Sequence, residues 1–427
     1  MDPTRRTSST LPPSDTYTSL EIQKLSEFRK KVDHILLTED QKEDSFLIRW
    51  LRARNLDVAK AEEMLRFSLQ WRQENDIDTI LERYQMPEDL RERAPIAYCG
   101  LSNEGCAVFV VPFGRHDTRY GLEKYGIEVM ERYQTYNMEE FAKLLRDEGI
   151  KHGRKVTQMI EIADCEGYSY WQMSSKLCRE YVIKMQQQMG NHYPELIRYV
   201  MIVNAAKIFV TLFSMLKVVI PKNTLEKIEI FGPDPEKWKA VVRQKFPVEN
   251  IPTHWGGTLE GVDEYCSGHE MWIQGPKDMR PLMRGLTEAD ADFHKTTINA
   301  RDKFIKTVQV TEKSTILEWK FKTNNYNIAF QVNLVPNNNS ATTSNKIINN
   351  FSTGSKRKDD RVAIIVPYSR VDAHKAVQEG SHCCEVTGTY AFIFDNSFSL
   401  MKNKTLLYQV IAVDPEPDKF EDSGETL

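Results

Sequence analysis

The sequence predicts a multidomain chain: an α-helical N-terminal module, an α/β unit on a largely parallel sheet, and a C-terminal antiparallel β-sandwich. Three observations carry that reading. From Leu20 to Glu74 apolar residues recur at helical spacing, with Phe46, Leu47, Trp50 and Leu51 on one face. Between about Pro95 and Gly257 short β-rich runs alternate with long helical stretches, the signature of βαβ units. Beyond Lys306 the apolar period becomes two, as expected of an antiparallel sheet with one buried face.

In chain order, residues 1–19 are rich in Ser, Thr and Pro and read as a disordered lead. The helical module covers residues 20–75. Within it Asp57 is a helix N-cap, after which Val58, Ala61, Leu65, Leu69 and Arg72 keep one period. The α/β unit covers residues 76–258. Its strand candidates are Cys106 to Val111, Val156 to Ala163, Tyr199 to Val203 and Lys227 to Phe231, and its helix candidates are Leu122 to Glu148, Trp171 to Met189 and a segment beginning at Ile208. Residues 259–305, with the Gly/Pro-interrupted run GPKDMRPLMRG, read as a linker. In the sandwich, residues 306–413, Leu317, Trp319 and Phe321 alternate with charged residues, Ile328, Phe330, Val332 and Leu334 with Ala329, Gln331 and Asn333, and Tyr390, Phe392 and Phe394 repeat the theme. An Asn/Ser/Thr-rich insertion from Asn337 to Ser355 reads as an exposed loop, and residues 414–427 as an acidic tail.

Lys plus Arg number 57 against 61 Asp plus Glu, a formal charge of −4, so no global field draws in nucleic acid. The tail alone carries six acidic residues against Lys419, and the rest of the chain sums to about +1. Seven cysteines with no C-x-x-C pair and no Cys/His ligand spacing fit reduced thiols and no metal site. No signal-like apolar region opens the chain and no apolar run approaches the ~20 residues of a membrane span. The expected location is cytoplasmic, peripheral to membranes.

Motifs for catalysis are absent: no G-x-G-x-x-G, Walker A, G-x-S-x-G or H-E-x-x-H run occurs. Glu161, Asp164 and Glu166, at the end of the Val156 strand, are the best acid/base candidates, but such carboxylates are usually solvated or ion-paired, and no catalytic residue is assigned. The chain is read as a non-enzyme.

The unusual feature is IFVTLFSMLKVVI, Ile208 to Ile220, in which ten of thirteen residues are apolar and only Thr211, Ser214 and Lys217 are polar. On a helix such a segment is buried in a core, covers an apolar ligand or dips into a bilayer. Lys217, Lys222 and Lys227 flank it with positive charge, which suits anionic lipid.

The runs FLIRWLRARNLDVAKAEEMLRFSLQWR, IADCEG, NHYPELIRYVMIVNAAKIF, TLEKIEIFG and IPTHWGGT resemble the CRAL-TRIO lipid-binding domain with its helical N-terminal module. TILEWKF and TGTYAFIFDNSFS resemble the GOLD domain. The pairing is similar to that of the supernatant-protein-factor or tocopherol-associated group of phosphatidylinositol-transfer-like proteins. The resemblance implies a gated apolar pocket that takes one lipid, phosphoinositide or isoprenoid-like, as ligand, with no cofactor besides it. It implies that Phe209, Leu212, Phe213, Leu216 and Val219 of the gate helix face lipid or bilayer, with Lys217 and Lys222 as basic residues near the membrane. Phosphoinositide-binding members hold the headgroup with an Arg of LRAR, the Glu of YPE and a Lys after the gate, which match Arg54, Glu195 and Lys227. Members that transfer phosphatidylcholine use a Ser/Thr pair where this chain has Met159 and Glu161, which puts exchange of that lipid in doubt. The implied partners are a lipid, a transient membrane surface and a protein bound through the GOLD domain, but no nucleic acid. The implied function is lipid transfer, with a lipid-sensing adaptor in signalling or vesicle trafficking as the alternative.

Overall fold

A computed structural model of the chain describes residues 17–36, 38–168, 176–205, 209, 213, 222–283, 294–337, 362–375 and 377–413. The chain folds as two units, Met1–Met283 and Arg284–Leu427.

The first unit opens with helices α1 (Ser19–Val32), α2 (Asp44–Ala53) and α3 (Val58–Glu74). Thr18 and Glu21 start α1 with a reciprocal capping box, which satisfies two amide donors left over at the helix end. Phe28, Leu47, Trp50, Leu51 and Leu65 are fully buried between the three helices, so the one-face spacing seen in the sequence is the core stripe.

A six-stranded sheet follows, with strands β1 (Ile96–Leu101), β2 (Ala107–Val111), β3 (Met159–Asp164), β4 (Ile197–Val203), β5 (Ile228–Ile230) and β6 (Trp272–Gln274) in the order β5-β4-β3-β2-β1-β6. β2 through β5 run parallel, and β1 pairs antiparallel with both β2 and β6. All five residues of β2 are buried because helices cover both faces, which is why its sequence is an uninterrupted apolar run. On one face Val108, Val110, Ile160, Ile162 and Met201 pack on Trp238 and Val242 of the helix Pro235–Lys245 and on Trp255. On the other, Phe109 meets Phe141 of the helix Ile127–His152 at 4.9 Å, and Ala163 and Ile202 meet Phe209 and Phe213.

The sequence reading is corrected in two places. The helix expected from Leu122 to Glu148 is two, Thr118–Tyr125 and Ile127–His152, parted by Gly126 at φ 80°, a left-handed conformation that a residue with a Cβ adopts only with strain. The linker expected over residues 259–305 is not one. Cys266, Met271, Met279 and Met283 are buried in the first unit's core, β6 joins its sheet, and β7 (His294–Ile298) already belongs to the second unit. The expected helix over Trp171 to Met189 is described from Lys176 and runs to His192; residues 169–175 lie outside the described residues, as does the expected insertion Asn337 to Ser355 apart from Asn337 itself.

The second unit is a β-sandwich of two four-stranded antiparallel sheets. One is ordered β11-β10-β13-β8 and the other β12-β9-β14-β7, with β8 (Lys303–Val310), β9 (Ile316–Thr323), β10 (Ile328–Pro336), β11 (Ala363–Val371), β12 (Gln378–Cys383), β13 (Gly388–Asp395) and β14 (Lys404–Val413). Its core is Trp319, Phe321, Phe330, Phe392 and Phe394, the residues whose alternation marked the fold. Glu318 and Lys320, the charged residues between them, are buried as well: β9 is an inner strand, with β12 and β14 on either side.

Candidate functional site

α2 ends at Ala53, and Asn55 and Leu56 turn the chain through the left-handed region at φ 51° and 64°. The Leu56 amide closes the corner on Leu51 O at 2.7 Å, a Schellman-type C-cap. The Asp57 carboxylate then accepts from the Ala59 and Lys60 amides to start α3. Arg54 is thus held at a rigid corner between two capped helices. Among the described residues it makes no ion pair with a carboxylate.

The NHYPE segment is fastened to these helices. His192 stacks on Trp71 at 3.9 Å and on Phe67 at 5.4 Å, while its Nδ1 meets Ser68 Oγ at 3.1 Å. Burial, aided by the nearby Arg72 charge, pushes its pKa down to about 4, so it packs as a neutral ring. The Tyr193 hydroxyl donates to Glu139 at 2.7 Å, and Arg72 donates to both oxygens of that carboxylate. Arg49 of α2 donates from Nε to Pro194 O at 2.9 Å.

The next residue, Glu195, sits at φ 57°, and the Gln158 amide group donates to its carbonyl at 3.0 Å. Its carboxylate pairs with Lys227 Nζ at 2.9 Å, with 14% and 13% of the two side chains exposed. Glu195 precedes β4 and Lys227 precedes β5, so the pair lies at the amino ends of two adjacent parallel strands. A cavity of about 100 Å³ opens there, lined by Arg54, Gln186, Tyr193, Glu195, Thr224 and Lys227 among others. The three residues singled out from the sequence line one pocket. Glu195 balances Lys227, Arg54 is left as net positive charge, and Arg49 stands behind. Burial pushes the Arg49 guanidinium down to about 10, with Glu195 and Glu139 acting the other way. It remains a cation at neutral pH. Sequence reasoning missed Arg49, Gln186, Thr224 and the Arg72–Glu139–Tyr193 bracket.

The gate residues are described only in part. Phe209 and Phe213 are buried against the sheet and stack at 6.0 Å, and Phe209 meets the edge of Tyr168 at 5.5 Å. Leu212, Leu216, Val219 and Lys217 lie outside the described residues. Lys222 is exposed and opens the short helix Lys222–Leu225.

The candidate acid/base carboxylates divide. Asp164, 1% exposed, accepts from Trp255 Nε1 at 2.9 Å on one oxygen, and from Asn204 Nδ2 at 2.8 Å and the Glu166 amide at 2.9 Å on the other. Burial would raise its pKa, and the neighbouring His254 together with these donors outweighs that and holds it below the ordinary value. His254 Nε2 stands 3.7 Å from both Asp164 and Glu166, a convergence of three metal-capable groups. Both Asp164 oxygens accept from the protein, while His254 Nε2 is buried and finds no hydrogen-bond partner among the described residues. Glu161 is different. It lies between Phe109 and Val200 in the sheet register, and although it keeps some accessible surface, burial among apolar neighbours pushes its carboxyl up to about 7.

Three family models match in chain order: the CRAL/TRIO N-terminal domain at residues 22–66, the CRAL/TRIO domain at 92–257, and the GOLD domain, described as Golgi-dynamics membrane-trafficking, at 337–412. The chain thus carries a CRAL/TRIO domain preceded by its N-terminal module and followed by a GOLD domain. It is similar to "Phosphatidylinositol/phosphatidylcholine transfer protein SFH4" of Arabidopsis thaliana, 27% identical over 317 residues that cover 70% of this chain and 50% of that one. It is also similar to "Protein real-time" of Anopheles gambiae, 27% identical over 250 residues, 58% of this chain and 36% of that one. The chain thus spans half or less of the length of these curated relatives. A solved structure titled "Crystal structure of Sfh5" aligns with 57% of this chain and 89% of its own at 17% identity and a TM-score of 0.46.

Proposed function

We propose that the first unit takes up one anionic, phosphoinositide-type lipid and moves it between membranes without a covalent step. One observation carries this reading. Arg54, Glu195 and Lys227, from three distant segments, line a single pocket in which no carboxylate among the described residues forms an ion pair with Arg54. A phosphate bound there meets the planar fork of Arg54 and the ammonium of Lys227, and Glu195 accepts from ring hydroxyls. The apolar sheet face under Phe209 and Phe213 offers surface for acyl chains, at about 25 cal/mol per Å² removed from water. Glu161 on that face opposes a second phosphate, which disfavours phosphatidylcholine as a co-ligand. Two relatives are named as phosphatidylinositol/phosphatidylcholine transfer proteins, and in the described residues no helix is long and apolar enough to cross a membrane. This supports a protein that visits bilayers from an aqueous, cytoplasmic side.

The test is transfer of labelled phosphatidylinositol from donor to acceptor vesicles at catalytic amounts of protein. Wild-type protein moves many lipids per molecule, and Arg54→Ala reduces the rate at least tenfold. Unchanged transfer by Arg54→Ala overturns the headgroup assignment. Loading without exchange favours the second reading, a lipid-sensing adaptor whose GOLD domain recruits a protein, for which the second domain itself speaks. Mass spectrometry of lipid co-purifying with the native chain separates a phosphoinositide from an isoprenoid-like ligand.

A further inference from the structure

Three connections of the sandwich meet at one end: the β7–β8 turn (299–302), the β9–β10 turn (324–327) and the β13–β14 loop (396–403). The last presents Leu400 and Met401, 72% and 86% exposed, more open than the other large apolar side chains described in this unit. Single exposed apolar residues are ordinary, but an adjacent pair at the apex of a loop with a polar rim is the arrangement that marks an interaction site. The loop is held open by design of its base. Asn396, fully buried, donates from its side chain to Ile298 O, Asn299 O and Lys402 O at 3.2, 3.0 and 2.8 Å. The Arg301 amide faces Asn396 O and Ser399 O at 3.2 and 3.1 Å, and Asn403 Oδ1 accepts from the Ala300 amide at 2.9 Å. Behind the tip, Phe398 is flanked by Arg370 at 3.7 Å and Lys404 at 4.1 Å.

Cations surround the apolar tip. Arg301 and Lys402 are exposed beside it, and Lys402 lies 5.4 Å over the ring of Tyr326, itself 46% exposed. Of the acids nearby, Asp302 caps the Lys303 amide, and Asp372 is paired with Lys375 at 2.8 Å. An ordered loop with two aliphatics at its apex, a Tyr at its shoulder and a collar of Arg and Lys matches an anionic bilayer: acyl boundary at the apex, interface at the ring, phosphates at the collar. We infer that the Leu400–Met401 tip of the GOLD sandwich is a membrane-docking loop that inserts into anionic lipid. This contact is separate from the headgroup pocket.

The test is sedimentation of the full-length protein with vesicles of phosphatidylcholine and phosphatidylserine in a 7:3 ratio (about 30% anionic lipid), which contain no phosphoinositide and leave the headgroup pocket out of play. The expected result is that L400D/M401D lowers partitioning at least tenfold, and that R301E/K402E lowers it several-fold and flattens its salt dependence. Both variants keep the wild-type melting temperature and phosphatidylinositol loading, because all four side chains are exposed. Binding unchanged by L400D/M401D, or equal on pure phosphatidylcholine, overturns the inference and assigns the cap to a protein partner. Failure of phosphatidylinositol transfer by Arg54→Ala bears on the pocket alone and leaves this result standing.

Discussion

At the carboxyl ends of β3 and β4, Asp164 has every oxygen taken by a donor from the protein: Trp255, Asn204 and the Glu166 amide. At the amino ends of β4 and β5, Glu195 and Lys227 satisfy each other while Arg54 is left facing a cavity. Open parallel sheets usually carry ligands at the carboxyl ends. Here, among the described residues, Asp164 at that end has its acceptors filled by the protein, and at the amino end Arg54 pairs with no carboxylate. Burial of polar groups therefore does not by itself mark a site. What distinguishes Asp164 from Arg54 is whether the described protein groups themselves supply the charged group's partners.

The comparison breaks most visibly at the Asp164 end. Asp164→Ala leaves the Trp255 indole N–H and the Asn204 amide without their acceptor, a loss of about 4 kcal/mol of stability by urea unfolding, with lipid specificity unchanged in the molecules that remain folded. Lys227→Ala strands Glu195 and costs about 3 kcal/mol, whereas Lys227→Met with Glu195→Gln recovers most of the stability and none of the phosphoinositide binding. Glu161 sharpens the contrast through pH. Its folded-state pKa of about 7 lies above the unfolded 4.5, so the folded chain binds the extra proton between those values. The stability it contributes is complete below about 4.5 and is lost as pH rises through 7. Glu161→Gln should therefore stabilise the protein by roughly 2 kcal/mol at pH 8 and by little at pH 4, read from unfolding curves at the two pH values. The smallest effect on stability falls at the Arg54 end. Arg54→Ala changes it by less than about 0.5 kcal/mol while lowering phosphatidylinositol binding at least tenfold, so a large loss of stability there would mean that Arg54 is a structural residue.

Where local rules act, the sequence was readable. The α2–α3 corner was announced by Asp57, and the sandwich by the strict alternation through Leu317 and Trp319. Gly126 breaks a helix whose apolar stripe continues across it, so periodicity saw one helix. β6 and the buried Cys266 and Met279 were taken for a linker because three-residue strands and Gly/Pro-rich turns carry no period to detect. Arg54, Glu195 and Lys227 were reached only through a family likeness. Arg49 was not reached at all, because its partner Pro194 is 145 residues away and nothing on α2 distinguishes a cation that turns inward. Leu400 and Met401 escaped notice as two apolar residues in a polar loop.

Glu195 also carries a cost in its backbone. At φ 57° glycine would sit without penalty, whereas a residue with a side chain costs on the order of 1 kcal/mol there. The carboxylate presented from this conformation is the one that pairs with Lys227, so Glu195→Gly should relax the backbone at the turn while leaving the Lys227 ammonium without that partner and removing the acceptor for ring hydroxyls.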